Sequence, residues 1–424
     1  MIARLSSPPR FEPIYLVAAA MAAMAGALVA KAPPAGIGLV ALVCGAVLAI
    51  RLTRLGIVEV TLAALPWLVI FDALMPSLLK TFVAAMAAGA MLWVAVPLHY
   101  RRLLGPITAV LFIVVLGLNV VLATEYDQFI QFAKFLIFPA ICLAVLSERG
   151  QEELPKARNV ILASCMAAMV VHLGIVSAGL GQEGTKYDVG EKLGYGREIL
   201  HEMALTFVVI AAAGLVSSKK ILVQAGFFAL GAVPALLTGV RSALLALLVV
   251  VLIFVLRSKL DRRAIATVGA ILVLAIAGGG IQVVQNRFDQ ESKQESSLST
   301  AGSGRGEIWK AAAGPWWNGG PQEWLFGTGL RSVEENELKE LGKVFIGHSD
   351  LIEVGVQLGV IGFACWFLLW VALLRSPLEN ILLVPLIVYS VVNGSIEYVA
   401  PTALGLAFAA ACRPPPEPPP EAAA

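Results

Sequence analysis

Apolar runs separated by short polar connections recur along almost the whole chain. Most hold about 16 to 24 residues, near the roughly 20 that a helix needs to cross a bilayer. An α-helix satisfies its backbone polar groups within its own segment, as lipid surroundings require. The pattern predicts an all-α, polytopic membrane protein with candidate spans at 14–30, 35–50, 58–72, 80–97, 103–123, 128–146, 158–180, 201–217, 221–238, 242–256, 264–285, 351–374, 378–394 and 398–411.

Several of these segments are short for a bilayer, because they hold only about 15 residues. Two of them are therefore interpreted as re-entrant, strongly tilted or surface-lying, and the predicted number of spans is about 12, within a range of 12–14. The composition supports a membrane protein, since 58% of residues are hydrophobic and 14% are charged. A mean hydropathy of +0.84 excludes an ordinary soluble globular protein.

The distribution of lysine and arginine predicts the orientation, because short cytoplasmic loops are enriched in these residues. With a cytoplasmic N-terminus, only Lys31, Lys80 and Arg241 lie in the short loops on the far side. The cytoplasmic segments then hold seventeen basic residues: Arg4, Arg10, Arg51, Arg54, Arg101, Arg102, Arg149, Lys156, Arg158, Lys219, Lys220, Arg257, Lys259, Arg262, Arg263, Arg375 and Arg413. Both termini are therefore predicted to be cytoplasmic.

Four regions follow from this pattern. Residues 1–285 are predicted to form N-terminal transmembrane helices with a short far-side loop at 181–200, and residues 350–412 the C-terminal ones. Residues 286–349 are too long for a passive connection and include Trp309, Trp316, Trp317, Trp324 and Phe326. Such rings prefer the membrane surface, so this loop is predicted to be partly helical and to pack as a small cap against that surface. The proline-rich tail 413–424 is predicted to be disordered.

Cysteine and histidine give no metal-binding pattern. The five cysteines lie in or beside apolar runs without a CxxC pair and are interpreted as small core residues. His99, His172, His201 and His348 share no spacing typical of a zinc site. Neither a metal nor a cofactor is predicted, and no nucleic-acid partner is expected.

Charged residues at the membrane boundary are candidate functional residues, because charges are costly there. Arg241 in "LLTGVRSALLALL" begins an apolar run, and a helix N-terminus carrying a guanidinium is suited to bind an anion. The alternative is an arginine that reaches lipid phosphates. Arg305 in "GSGRGEIW" is flanked by glycines that permit close approach of a ligand. The alternative is a loop arginine that is solvated and binds nothing.

Further candidates lie at the ends of the two far-side loops. His348 lies three residues before an apolar run, with Ser349 and Asp350 between. An imidazole is well suited to accept a proton near neutral pH; its alternative role is local capping. Arg197 and His201 are four residues apart and share a helix face.

Lys134 lies inside a predicted span, with Glu125 or Asp127 expected as its ionic partner.

Three segments taken in order carry a family resemblance: "TGVRSALLAL", "SGRGEIWKAA…EWLFGTGLRSV" and "GHSDLIEVGVQLGVIG". Together they resemble the O-antigen ligase and polymerase superfamily of bacterial inner-membrane glycosyltransferases over residues 195 to 370. The glycines 11 and 14 residues after His348, Gly359 and Gly362, are the most specific feature. Ser349 and Gln357 depart from the residues common in the family, Asn and Glu.

The resemblance implies an O-antigen ligase with a periplasmic active site. It implies that His348 is the general base and that Arg241, Arg305 and Arg197 bind the diphosphate of an undecaprenyl diphosphate-linked O-antigen donor. The acceptor would be lipid A–core oligosaccharide, and displacement would be inverting and metal-independent. Both lipid substrates would enter from the membrane into a cavity between helices. The loop 286–349 would be the lid of this cavity and would carry part of the active site.

Two alternatives share this chemistry and differ in the acceptor: an O-antigen or other surface-polysaccharide polymerase, and a protein O-oligosaccharyltransferase. A lipid or polysaccharide transporter is the alternative from another class. It would place paired charges near the bilayer midplane, whereas the charges of this chain collect at the rim, with Lys134 as the main exception.

Overall fold

The computed structural model describes residues 56–70, 77–95, 99–100, 102–121, 126–177, 197–217, 221–238, 240–257, 305–342, 344, 349–376 and 378–413. Within these ranges the secondary structure is helical. The helices are α1 (Ile57–Ile70), α2 (Ser77–Ala95), α3 (Leu104–Val121), α4 (Tyr126–Leu146), α5 (Glu148–Ser177), α6 (Arg197–Ser217), α7 (Ile221–Leu237), α8 (Arg241–Arg257), α9 (Arg305–Trp317), α10 (Pro321–Phe326), α11 (Ser332–Leu341), α12 (Asp350–Leu374), α13 (Asn380–Val392) and α14 (Val399–Ala411).

The all-α prediction is confirmed for the described part of the chain. Eleven predicted spans coincide with a helix, and the three at 14–30, 35–50 and 264–285 lie outside the described residues. Two described helices are both long and apolar enough to cross a bilayer, Asp127–Leu146 and Asp350–Leu374, and seven shorter apolar helices accompany them. The count of about 12 spans is not confirmed and stays a prediction.

Helix α14 lies at the centre of the bundle. All thirteen of its residues are buried, and it packs against α1, α2, α4, α5, α6 and α13. Its sequence VAPTALGLAFAAA is rich in small side chains, which allow neighbouring backbones to approach closely. A Cβ at Gly405 would lie 2.9 Å from Leu386 of α13. The small residues therefore explain why a thirteen-residue helix can serve as the packing centre of six others.

Other helices expose large apolar side chains on their outer faces. On α3, Leu111 and Leu118 are 51% and 57% exposed, and on α8, Leu248 and Leu252 are 65% and 55% exposed. A soluble protein rarely exposes apolar surface in continuous stripes, whereas a helix in lipid gains from doing so. These faces are those expected to contact the bilayer.

Helix α12 contains a break at Gly359. The residue has φ 68° and ψ −172°, so α12 consists of a first half before it and a second half after it. The break coincides with a close contact to the segment after α10, since a Cβ at Gly359 would overlap the Leu325 carbonyl group and lie 2.5 Å from the Gly327 nitrogen. Only glycine combines this left-handed φ with this contact.

The same segment satisfies carbonyl groups that the break releases. Thr328 donates its backbone N–H to the carbonyl of Val356 at 2.8 Å, and Gly329 donates to the carbonyl of Gln357 at 3.2 Å. The backbone N–H of Arg331 donates to Oε1 of Gln357 at 2.9 Å. Helices α9, α10 and α11 all pack against α12. The predicted lid therefore contains three helices in its described part, and it is joined to α12 by backbone hydrogen bonds.

Candidate functional site

The three predicted arginines share one structural feature: each is the first residue of a helix. Arg197 begins α6, Arg241 begins α8 and Arg305 begins α9. Arg241 is half-buried; the side chains of Arg197 and Arg305, and the whole of His348, lie outside the described residues. A helix N-terminus presents free N–H groups and a partial positive charge. Each guanidinium is thus attached where an anion is already favoured.

The residues that follow His348 are held firmly against the α13–α14 loop, residues 393–398. The fully buried Asp350 accepts hydrogen bonds from Ser395 N at 2.8 Å, Ser395 Oγ at 2.7 Å and Ile396 N at 3.1 Å. Ser349 caps α12 and donates from Oγ to the Ser390 carbonyl at 3.2 Å. Since a buried carboxylate is stable only when it is fully hydrogen-bonded, this contact fixes where α12 begins.

The same loop also reaches α6, four residues after Arg197. Asn393 donates from Nδ2 to Nδ1 of His201 at 2.9 Å and lies 3.3 Å from the hydroxyl of Tyr398. The α13–α14 loop therefore joins the beginning of α6 to the beginning of α12. The starts of α6 and α12 therefore lie at the same end of the bundle.

Helix α4 joins this end through a partly buried ion pair. Lys134 Nζ lies 2.9 Å from Oε2 of Glu397, and Gln131 donates from Nε2 to Oε1 of the same carboxylate at 2.6 Å. The prediction that Glu125 or Asp127 would pair with Lys134 is wrong, because the partner is 263 residues away in the α13–α14 loop. Asp127 instead pairs with Arg331 at 2.7 Å, beside the start of α11.

Acidic residues gather around this pair. Glu353 is buried and accepts a hydrogen bond from Gln357, and Glu334 of α11 lies near enough to interact with Lys134 and Glu397. Burial, and then repulsion from Glu397, raise the pKa of Glu334 to about 7, against the attraction of Lys134 and Arg331. An acid with such a pKa changes its charge near neutral pH. The polar end of the bundle is thus rich in carboxylates as well as in cations.

Sequence reasoning missed the carboxylates and found the cations. An arginine or lysine in an apolar run is easily recognised as a candidate. Glu397 instead lies in the short polar connection "NGSIEY", and Asp350 lies among the polar residues around His348, where a carboxylate does not stand out. One signal was available: Asp350, Glu353 and Gln357 lie three and four residues apart, which is one polar face at the start of an apolar helix. A polar face inside a membrane helix has to meet protein or water.

Comparison with known families gives a match over the middle of the chain. Residues 225–367 match the model of a family described as O-antigen ligase. This segment is an O-antigen ligase family domain. The match includes Arg241, Arg305 and His348, whereas Arg197, Lys134 and the α13–α14 loop lie outside it. No curated protein matches the chain. The family resemblance found in the sequence is confirmed over these residues. Members of this family are membrane-associated, glycosyltransferase-like enzymes, and the family implies lipid-linked polysaccharide substrates.

The O-antigen ligase family domain contains both partners of the α12 break. "GTGLRS", residues 327–332, supplies the hydrogen bonds, and "VQLG", residues 356–359, receives them. Two of the three segments that carry the family resemblance are therefore one structural unit. Its effect is to hold the first half of α12 in place beneath the lid.

Proposed function

We propose that the chain is an O-antigen ligase that moves O-antigen polysaccharide from undecaprenyl diphosphate to lipid A–core oligosaccharide. The observation that carries the proposal is the convergence of α4, α6 and α12 on the α13–α14 loop, within a chain whose O-antigen ligase family domain holds Arg241, Arg305 and His348. This arrangement supports a single polar site at one end of an apolar bundle. The proposal places this site on the periplasmic face of the bacterial inner membrane, with both termini cytoplasmic.

Each proposed residue has a role in the displacement. Arg241 and Arg305, with Arg197, bind the diphosphate of the donor and stabilise the charge that develops as undecaprenyl diphosphate leaves. His348 accepts the proton of the acceptor hydroxyl as that oxygen bonds to the anomeric carbon. The bond to the diphosphate breaks on the opposite side, so the anomeric configuration is inverted. The proton on His348 then passes to solvent.

Transfer in a reconstituted system tests the proposal. Purified protein in liposomes receives lipid-linked O-antigen and lipid A–core, without added divalent metal, and ligated product is measured by gel mobility. His348→Ala, Arg241→Ala and Arg305→Ala are each expected to lose about 100-fold or more of the rate, the usual effect of removing a group that stabilises a transition state. His99→Ala and Arg149→Ala are matched controls, because His99 and Arg149 are exposed residues at the opposite end of α4.

The products distinguish the candidate functions. Longer lipid-linked chains formed without lipid A–core would replace the ligase by a polymerase, and glycosylated protein acceptor would replace it by an O-oligosaccharyltransferase. Movement of donor across the bilayer with no new glycosidic bond would indicate a transporter. Near-normal turnover by His348→Ala would remove that residue as the base while leaving the family assignment untouched.

A further inference from the structure

An aromatic patch lies on the lid where α9 ends and α10 follows. It consists of Trp316, Trp317, Trp324, Leu325 and Phe326. The three indole rings contact one another, with centroids 6.1 to 6.3 Å apart. Trp317 is 67% exposed, and Trp324, Leu325 and Phe326 are 43% to 46% exposed. The rings are packed as a group and yet are open on one side, so the patch is a preformed surface.

The depth of this patch follows from its contact with α12. Arg375 is the C-cap of α12, and Arg102 donates a hydrogen bond to its carbonyl. Two arginines side by side at the end of an apolar helix indicate one bilayer boundary. Gly359 is 16 residues earlier, which is about 24 Å along a helix. A hydrocarbon core is about 30 Å thick. The break, and the Leu325 backbone that touches it, therefore lie about 6 Å inside the other edge of the core, and tilting of α12 would place them deeper.

The charge pattern of the lid agrees with this depth. Residues 311–322 contain no charged side chain, whereas α11 carries five in SVEENELKEL. The one acid of α10, Glu323, turns back toward the start of its helix, where a Cβ at Gly320 would lie 3.0 Å from its Oε2. A charged group on a membrane-embedded turn is expected to direct itself toward water in this way. Tryptophan is the residue most enriched at the boundary between lipid and water.

We propose that the aromatic patch inserts into the leaflet nearest the N-terminus of α12 and contacts lipid acyl chains there. The lid is then a re-entrant element: the end of α9 and the whole of α10 lie in the upper part of the hydrocarbon core, and α11 lies above it in water. The inference depends on the membrane location of α12 and not on the reaction that the site carries out.

Nitroxide accessibility measures this directly. The full-length protein, with its five cysteines replaced by alanine, receives a spin label at Trp317→Cys or at Phe326→Cys and is reconstituted into phosphatidylcholine vesicles. Oxygen concentrates in lipid and a water-soluble nickel chelate is excluded from it. The ratio of oxygen to nickel collisions is expected to be several-fold higher at 317 and 326 than at a label on Leu338→Cys. Leu338 is the matched control, since it is 56% exposed on α11 of the same lid.

Three results would overturn the proposal. A collision ratio at 317 and 326 that equals the low ratio at 338 would place the patch in water. Equal and high ratios at all three positions would show that the whole lid lies in lipid and that the patch is not a distinct element. Low collision rates with both reagents at 317 and 326 would show that protein covers the patch, from this chain or from a second copy. Each position is read separately, so a failure of one variant to fold leaves the other informative.

Discussion

The two halves of α12 differ in what surrounds them. From Glu353 to Gly359 every residue is buried, including the polar Glu353 and Gln357. After the break only one stripe is buried, and Phe367 and Leu374 on the other side are 54% and 42% exposed. The second half is an ordinary boundary helix between core and lipid. The first half is enclosed by the lid and by the α13–α14 loop. An average hydropathy over the whole helix therefore does not show that its two halves lie in different environments.

The largest effect is expected where the first half is anchored. Asp350→Ala leaves Ser395 N, Ser395 Oγ and Ile396 N without their acceptor in a buried place, at a cost of about 4 kcal/mol. The free energy of unfolding in detergent micelles measures this. Phe367→Ala, in the exposed part of the second half, is the control and is expected to cost less than about 0.5 kcal/mol. Similar losses of unfolding free energy for both variants would mean that the two halves contribute equally to stability.

The break itself is the next most sensitive position. Gly359→Ala requires a left-handed φ at a residue with a Cβ and brings that Cβ onto the Leu325 carbonyl group, so we expect a loss of about 3 kcal/mol. Gly117→Ala on α3 is the matched control, because no atom lies within 4 Å of a Cβ there. It is expected to be neutral or to stabilise by up to about 1 kcal/mol. A tolerated Gly359→Ala would show that the lid does not depend on the break.

Ion pairs extend the comparison to α4. Glu397→Gln leaves Lys134 without its carboxylate in a place where the two side chains are 26% and 16% exposed, and we expect a loss of about 1–2 kcal/mol. Glu153→Gln removes the partner of Lys156 from an exposed pair on α5 and is expected to cost less than about 0.5 kcal/mol. Chemical denaturation of the two variants gives both values. Equal costs would argue that the polar end is open to water.

The remaining expected effect depends on pH. Because the folded-state pKa of Glu334 is raised to about 7, the folded protein binds more protons than the unfolded chain between about pH 4.5 and 7. The contribution of this group to stability is therefore full below that range and is lost as the pH rises through it. Glu334→Gln should match the wild type at pH 4, below the range, and melt at a higher temperature at pH 8. Glu335→Gln, exposed on the same helix, should leave the pH profile of the melting temperature unchanged.

Most of the helices could be predicted because long apolar runs have few other structures available in lipid. The described ends of α6, α8 and α12 fall within four residues of the predicted spans. The Gly359 break could not be predicted from periodicity, because the apolar run continues through it without interruption. It depends on Leu325 and Gly327, more than thirty residues away.

The candidate site was predictable only in part for a related reason. Arg241, Arg305 and Arg197 stand out against apolar or glycine-rich neighbours, and each does begin a helix. Their roles and that of His348 remain predictions. The Lys134–Glu397 pair required knowing that the α13–α14 loop folds over α4. The local sequence suggested Asp127 instead. Asp127 is an acid close to Lys134 in sequence, but in the structure it pairs with Arg331. Long-range ionic pairing is decided by packing and not by spacing.

The hydrogen bonds from residues 328–331 to residues 356–357 bear on how such enzymes can be recombined. A chimera that exchanges residues 286–349 with those of a relative would separate the donors from their acceptors and leave carbonyl groups of α12 bare in the membrane. A graft that runs from residue 305 through residue 359 carries both the donors and the acceptors of these hydrogen bonds and should fold. The transplantable module therefore crosses the boundary between loop and membrane helix.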